Sequence, residues 1–179
     1  MPQNVLHSPT FAELLAATRQ SALHLEMRDA YAVGDEKDDF ETFLRTGGAN
    51  TDPSRSFWPQ WVPLVKDAVA RGVVMRRARI VSEPVTDYIR YEHAITTVNL
   101  QAGEQVRWLP RRHASDIALP GNDFWLLDGR LVQFHHFTGN GDWAENGKER
   151  TDDLAAAALC AAAFEKVWKR AIPHEKYTV

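Results

Sequence analysis

The segment 73–81 constrains the fold of this chain more than any other. It is rich in the β-branched residues that favour a strand, yet it also carries three arginines, so at least one face of the strand is not simply hydrophobic core. The next residues turn the chain. Pro84 suits the first position of a helix and is expected to begin one that runs to about residue 97.

Two hydrophobic periodicities divide the rest of the chain into helices and strands. Apolar residues at three- and four-residue steps predict helices over 10–19, 35–46, 58–71 and 151–170. Alternating apolar and polar residues predict a half-buried strand over 23–27, further strands near 105–109 and 143–145, and a hairpin of 124–127 with 131–137 around Asp128-Gly129. This order favours an α+β fold in which helices flank a mixed, largely antiparallel sheet. If the crossover at 82–104 joins parallel strands, the fold class would instead be mixed α/β.

Composition and charge predict one cytoplasmic domain that covers residues 1–179. The 24 acidic and 21 basic residues give a formal charge of −3, without the basic excess typical of direct nucleic-acid binding. The longest uncharged stretch, 154–164, is too short for a bilayer span, and residues 1–9 do not resemble an export signal, so no membrane association is expected. Cys160 is the single cysteine, which fits a reducing compartment.

The segment 76–93 is the strongest candidate for a binding site. A strand that bears arginines and leads into a helix N-terminus can meet a phosphate or carboxylate group, so a small anionic ligand is expected here. The candidate ligand-binding residues are Arg77, Arg79, Tyr88, Arg90, Glu92 and Trp125. The alternative is structural: the arginines at 76, 77, 79 and 90 pair with Glu83, Asp87, Glu92 and Glu104 in an ion-pair network.

Evidence for an enzyme is limited to clustered polar residues, because no nucleophile elbow, P-loop or dinucleotide-binding motif is present. If the protein is an enzyme, its acid and base groups would come from Glu92, His93, Asp128, His135 and His136. No metal or cofactor is predicted: the two adjacent histidines lie on a strand and point to opposite faces.

Two further patterns in the sequence carry little functional signal. His24 and Glu26 are two residues apart on one strand face, a pairing too common to indicate catalysis. Six tryptophans are spread over nearly all predicted elements, which indicates mainly structural positions. Trp58 and Trp143 lie nearest to predicted loops and are expected to be the most exposed to a partner.

Several motifs resemble those of an actinobacterial family, a domain of unknown function encoded beside helix-turn-helix regulators and small partner proteins in WhiJ-type clusters. The specific parts of the resemblance are the stretch 83–92 and the block Asp123-Phe124-Trp125-Leu126. The C-terminal half is more weakly similar to phospholipase D-like sensor domains, but lacks the catalytic His-x-Lys-x4-Asp motif of that superfamily: its only His-x-Lys pair, His174-x-Lys176, is not followed by the aspartate. That similarity implies a phospholipase D-like fold without the chemistry.

The resemblance implies a regulatory or signalling accessory protein. Its expected partner is a helix-turn-helix regulator or a small partner protein, contacted through segment 76–92 and the hairpin at 123–137. The alternatives are a small hydrolase, lyase or transferase of specialised metabolism and a purely structural interaction module, for example a homodimer.

Overall fold

A computed structural model describes residues 8–32 and 34–179 of the chain. Its helices are α1 (Phe11–Ala17), α2 (Lys37–Thr46), α3 (Trp58–Ala70), α4 (Asp87–Ala102) and α5 (Leu154–Arg170). Its strands are β1 (Ser21–Glu26), β2 (Val74–Val81), β3 (Gln105–Pro110), β4 (Asp123–Leu127), β5 (Leu131–Phe137), β6 (Trp143–Thr151) and β7 (Ile172–Pro173).

These strands form one sheet in the order β6-β5-β4-β1-β2-β3-β7. The central strands β1, β2 and β3 are parallel, and every other neighbouring pair is antiparallel. Helix α4 is the crossover between the parallel strands β2 and β3. Since four of the six neighbouring pairs are antiparallel, the α+β class with a mixed, largely antiparallel sheet flanked by helices is confirmed. The crossover at 82–104 does join parallel strands, which is the condition of the mixed α/β alternative.

Each face of the sheet is covered by its own helices. Helices α1, α3 and α4 pack on one face around a cluster that includes Trp58, Val65 and Ile95. Helix α5 packs on the opposite face, where Cys160 and Phe164 meet Leu25. Because strand side chains alternate between faces, each central strand supplies both clusters with residues.

Strand β1 differs from its prediction because both of its faces are covered. Its residues from Ala22 to Leu25 are all buried, whereas alternation had predicted a half-buried strand. The polar residues that alternate with the leucines do not face solvent: His24 is only 6 % exposed. They lie inside the protein, beneath the helices α3 and α4.

Three predicted boundaries and one exposure are corrected. Helix α4 begins at Asp87 and not at Pro84, because the Thr86 side chain caps it and Pro84 belongs to the preceding turn with a cis Glu83-Pro84 bond. Helix α5 begins at Leu154, capped by Asp153, and strand β6 extends to Thr151. Trp58 is buried in the core at 2 % exposure, which contradicts its predicted exposure, whereas Trp143 is 40 % exposed.

None of the helices in the described residues combines the length and the apolarity needed to span a lipid bilayer. Helix α5, the longest, begins next to Asp153 and ends with Lys169 and Arg170. Acidic residues at its N-terminus and basic residues at its C-terminus stabilise the helix dipole, as the sequence predicts.

The turn between β4 and β5 holds the start of β1 through Asp128. This residue has a positive φ of 51°, and its carboxylate accepts hydrogen bonds from the backbone N–H groups of Arg19, Gln20 and Ser21, the shortest at 2.7 Å. Hydrogen bonds to a charged acceptor contribute about 1–3 kcal/mol together when partly solvated. Asp128 is therefore a structural residue that joins the hairpin to the parallel part of the sheet.

We expect Asp128→Ala to lower the free energy of unfolding by about 1–2 kcal/mol, because three backbone donors lose their acceptor. Arg130→Ala, at an exposed position of the same turn, is the control and should change it by less than about 0.5 kcal/mol. Urea denaturation measures both variants. Equal effects of the two substitutions would show that the Asp128 contacts do not stabilise the fold.

Candidate functional site

A band of polar side chains crosses the face of the sheet that α3 and α4 cover. Strand register brings these residues together: His24 of β1 pairs with Arg77 of β2 and with Trp125 of β4, and Glu26 pairs with Arg79. Because side chains two residues apart share a face, all five point to the same side of the sheet. The band therefore consists of a histidine, a carboxylate, two guanidinium groups and an indole.

Two buried arginines form the centre of this band. Arg79 contacts Glu26 at 2.9 Å and also the carboxylate of Glu92 from α4. Arg77 contacts Glu26 at 3.0 Å and Glu104 at 2.7 Å. Buried ions are stable only when paired and hydrogen-bonded. Each arginine has two carboxylate partners, so neither leaves an uncompensated positive charge for an anion.

The ion-pair alternative of the sequence analysis is therefore confirmed for three of its arginines. Arg77 pairs with Glu104, Arg79 with Glu92, and Arg90 with Asp87 at 2.6 Å. Arg76 differs, because it contacts Glu165 of α5 on the other face of the sheet. The proposed anion site on these arginines has its positive charge already neutralised by the protein.

A cavity of about 370 Å³ lies between this band and the helices. Its volume falls in the range of about 300–1,000 Å³ that is typical of small-molecule sites. Strands β1, β2 and β4 form its floor, α3 and α4 its walls, and the turn before α2 its edge. The lining residues are His24, Glu36, Phe57, Trp58, Gln60, Trp61, Leu64, Arg77, Arg79, Glu92, Ile95, Asn99 and Trp125.

His24 is the buried polar group of the cavity whose hydrogen-bonding capacity is unused. Neither ring nitrogen has a hydrogen-bond partner among the described residues, and its Nδ1 lies 3.7 Å from Glu26. The ring stacks on Trp125, with centroids 4.2 Å apart. Burial and the nearby Arg77 lower the pKa of His24 well below its ordinary value, so the imidazole is neutral at pH 7 and offers one donor and one acceptor.

Trp61 provides a second unused donor in the same cavity. Its buried Nε1 also has no hydrogen-bond partner among the described residues. The Arg77 guanidinium lies 5.8 Å from the ring centroids of both Trp61 and Trp125, a distance at which a cation and an aromatic ring attract each other. Aromatic surface and unused hydrogen-bonding groups therefore occur side by side.

Glu36 and Glu92 meet at another edge of the cavity. The Tyr88 hydroxyl group lies 2.7 Å from Glu36 Oε2 and 3.1 Å from Glu92 Oε1, so it links the two carboxyl groups. Burial and the negative charge of Glu92 raise the pKa of Glu36 to about 8. Glu36 is consequently protonated at neutral pH, while Glu92 stays paired with Arg79.

The structure brings four of the six predicted ligand-binding residues to the cavity, namely Arg77, Arg79, Glu92 and Trp125. Tyr88 lies behind them, hydrogen-bonded to Glu36 and Glu92. Arg90 does not join them: its side chain is 45 % exposed on the outer side of α4. Two residues along α4, about 200° of rotation, thus separate a buried predicted residue from a solvent-facing one.

The residues predicted for an enzyme are not brought together. Glu92 lines the cavity, but Asp128 holds the β4–β5 turn. None of the histidines of the set lines the cavity: His93 donates to the Tyr177 carbonyl, and His136 pairs with Glu149 on the opposite face. His135 accepts from Gln133, and its ring lies 5.6 Å from that of His24. Among the described residues, no three His, Cys, Asp or Glu groups are arranged to hold a metal ion.

Four further residues of the cavity are not among the ligand-binding residues predicted from the sequence. They are His24, Glu36, Trp61 and Asn99. A usable signal existed: His24-x-Glu26 and Arg77-x-Arg79 are the same two-residue spacing on two strands, which becomes one cluster when those strands are neighbours. The contribution of Glu36 had no sequence signal, because it lies in a turn.

We expect Arg79→Met to lower the free energy of unfolding by about 3–5 kcal/mol, because it leaves the buried carboxylates of Glu26 and Glu92 without their shared cation. Arg90→Met is the matched control. Its exposed ion pair should contribute less than about 1 kcal/mol. Chemical denaturation distinguishes the two. A loss below 1 kcal/mol for Arg79→Met would contradict the role given to this network.

Glu36 should make folding stability fall as pH rises. The unfolded chain releases this proton near the ordinary value of 4.5, whereas the folded protein holds it up to about pH 8. The folded state therefore binds more protons in this interval, and its stability is lost as pH rises through it. Buried histidines such as His135 and His174, with pKa values of about 4, act in the opposite direction, but only below pH 6.5.

We therefore expect the wild-type protein to lose stability between pH 6.5 and pH 8, and Glu36→Gln to remove most of this slope. Denaturant titrations at several pH values within this window provide the measurement. The exposed Asp38→Asn should keep the wild-type slope. An unchanged slope in Glu36→Gln would mean that Glu36 is ionised in the folded protein at neutral pH.

Comparison with known proteins adds similarities of fold and of family. A search of curated proteins finds no match. Among solved structures, the phospholipase D family member Nuc from Salmonella typhimurium is similar with a TM-score of 0.49 and 10 % identity, over 90 % of this chain and 86 % of that one. The archaeal chromatin protein TrmBL2 is similar with a TM-score of 0.47 and 14 % identity, over 90 % of this chain and 49 % of that one.

The family assignment comes from the sequence. The family model of a domain of unknown function, DUF6879, matches residues 9–179. This match includes every element of the sheet and all residues of the cavity. Because it extends over nearly the whole chain, the protein belongs to the DUF6879 family.

Proposed function

We propose that this protein is a ligand-binding accessory domain that takes up a small organic molecule in the cavity beneath α3 and α4. The observation that carries the proposal is the neutral, buried His24, which lines the cavity and whose ring nitrogens have no hydrogen-bond partner among the described residues. A buried polar group left unpaired costs about 1–3 kcal/mol. A ligand that pairs with it recovers this cost on binding.

The ion-pair network also supports a binding role for this cavity. A buried network of charges is seldom more stable than a well-packed apolar core of equal volume. Charged and titratable groups with perturbed pKa values that cluster in a cleft are more typical of functional sites. Here Arg77, Arg79, Glu36 and Glu92 all line one cleft, and the pKa of Glu36 is strongly raised.

The size and walls of the cavity favour a small molecule over a peptide or a nucleic acid. About 370 Å³ accommodates a molecule with one or two rings. Its walls are aromatic and aliphatic, from Phe57, Trp61 and Ile95. The network at its floor has more carboxyl than guanidinium groups, which argues against the strongly anionic ligand expected from the arginines alone.

The proposal includes a protein partner. A family encoded beside helix-turn-helix regulators, which this sequence resembles, supports a role in which the ligand-bound and ligand-free states differ in their binding to such a regulator or to a small partner protein. Because this chain has a formal charge of −3, DNA binding in this proposal is the role of the partner. A second copy of this chain is the remaining partner of the same proposal.

Catalysis is the second candidate function, and one observation favours it. His24 is neutral, lies 3.7 Å from Glu26 and lines the cavity, which is the arrangement of a general base with a carboxylate neighbour. It differs from the set predicted by sequence, of which only Glu92 lines the cavity. A bound compound that His24→Gln still binds but no longer converts to a product would establish this second function in place of simple binding.

The proposed function is tested by a substitution that closes the cavity. Gln60 is exposed at the rim, so Gln60→Trp should fill the entrance without disturbing the core. Lys66→Trp, exposed further along the same helix and outside the cavity, is the matched control. We expect ligand-observed NMR on a library of small polar aromatics to yield compounds that bind the wild type and Lys66→Trp, and that bind Gln60→Trp at least tenfold more weakly.

A library in which every bound compound binds Gln60→Trp as tightly as the wild type would contradict the proposed site. Circular dichroism and the urea midpoint of both variants show whether they remain folded. The control variant also carries one new tryptophan on the same helix, so non-specific binding to an added tryptophan affects both variants.

A further inference from the structure

We infer that the ligand of this cavity is a flat aromatic molecule that carries a cationic nitrogen, with its ring against Trp61 and Trp125 and its cation beside Glu36 and Glu92. The inference rests on the proposed function and deepens it, because it assigns the charge and shape of the ligand. Three features of the cavity carry it: the balance of charges, the linked carboxyl groups and the aromatic walls.

The ion-pair network beside the cavity has a negative balance of charges, and Glu92 is the one carboxylate of this network that lines the cavity itself. Arg77 and Arg79 supply two positive charges, whereas Glu26, Glu92 and Glu104 supply three carboxylates in direct contact with them. Asn99 donates to Glu104 at 2.7 Å, which satisfies that carboxylate without adding a positive charge. An anionic ligand would meet a surplus of negative charge here, whereas a cation would neutralise it.

The linked carboxyl groups provide the place for the cation. Glu36 and Glu92 both line the cavity and share the Tyr88 hydroxyl group, at 2.7 Å and 3.1 Å. Two carboxylates at such a short separation cannot both ionise in a partly buried site unless a cation lies near them. In the free protein a proton on Glu36 fulfils this requirement. An ammonium or amidinium group of a ligand would replace that proton and form a charge-assisted hydrogen bond.

The charged and titratable groups around Glu36 are consistent with this exchange. Glu92 and Tyr88 face it from α4, Arg79 from β2 and Glu26 from β1. Of these neighbours only Arg79 is a cation, and it is already paired with Glu26 and Glu92. Glu36 therefore lacks a cation of its own.

The walls determine the shape of the ligand. The rings of Trp61 and Trp125 lie 5.9 Å apart at their centroids with an interplanar angle of 53°, and both line the cavity together with Phe57 and Ile95. A flat ring gains both apolar contact and stacking against such surfaces. The Trp61 N–H and the His24 ring nitrogens, which have no partner among the described residues, belong to side chains that line the same cavity. An aliphatic polyamine would use the carboxyl groups but gain little contact with the aromatic walls.

Three indole derivatives with the same ring and different charges test the inference. Tryptamine carries a cation at neutral pH, indole-3-ethanol is neutral and indole-3-acetate is an anion. Isothermal titration calorimetry with the wild-type protein at pH 7 should give affinities in the order tryptamine, indole-3-ethanol, indole-3-acetate, with at least a tenfold difference between the first and the last.

Two variants show whether Glu36 causes this order. In Glu36→Gln the preference for tryptamine over indole-3-ethanol should fall to about threefold or less, while the affinity for indole-3-ethanol stays unchanged. The exposed Asp38→Asn removes one negative charge from the same region outside the cavity and should keep the wild-type preference. Calorimetry in buffers of different ionisation enthalpy should also show that tryptamine releases a proton from the wild type and none from Glu36→Gln.

The possible results separate this inference from the proposed function. Equal or tighter binding of indole-3-acetate overturns the cationic charge, although the cavity remains a ligand site. No binding of any of the three indoles, when other compounds still bind the wild type and not Gln60→Trp, overturns the proposed ring and cation together. Only a failure of the Gln60→Trp experiment contradicts the binding function itself.

Discussion

The fold depends on the burial of Arg79. Its guanidinium group is 5 % exposed, and a charge in that position is stable only if the fold delivers opposite charges to it. Glu26 comes from β1 and Glu92 from α4, while the Trp108 ring of β3 lies 5.2 Å away. The register of the parallel strands and the position of the crossover helix are therefore coupled through one side chain.

This constraint explains why the cavity is where it is. The polar band takes a carboxylate partner from α4, so this helix lies above the arginines and places Glu92 beside Arg79. Helix α3 closes the remaining space with aromatic side chains that include Trp58 and Trp61. The space left between them retains unused hydrogen-bonding capacity on His24 and Trp61. Binding capacity is thus a consequence of how the charges are buried.

The sequence predicts the helices, strands and turns of this fold better than it predicts which of their faces are buried. The Asp128-Gly129 turn, the arginine-bearing strand and the dipole-matched final helix are all local features, and the structure contains each of them. Alternation in β1 was misread as a half-buried strand, because polar residues that face an internal cavity give the same pattern as polar residues that face solvent. Only the pairing of β1 with β2 and β4 distinguishes the two cases.

The candidate site was predictable in part for the same reason. Arg77, Arg79 and Glu92 were identified because they lie in one continuous segment. Arg90, in the same segment, faces solvent, because it lies two residues from both Tyr88 and Glu92, which places it about 200° around α4 from them. Glu36 reaches the cavity from a turn. The local sequence of a turn does not predict which distant elements it contacts in the fold.

Nuclear magnetic resonance of the imidazole nitrogens of His24 tests the central claim most directly, that the cavity keeps a neutral and unpaired histidine for a ligand. We expect His24 to stay neutral well below the pH at which an ordinary histidine titrates. Its ring signals and the signal of the Trp61 indole N–H should both shift when a ligand binds. The signals of His136, on the opposite face, should not shift. An imidazole that titrates like that of a solvent-exposed histidine, or that does not respond to bound ligand, would contradict the account.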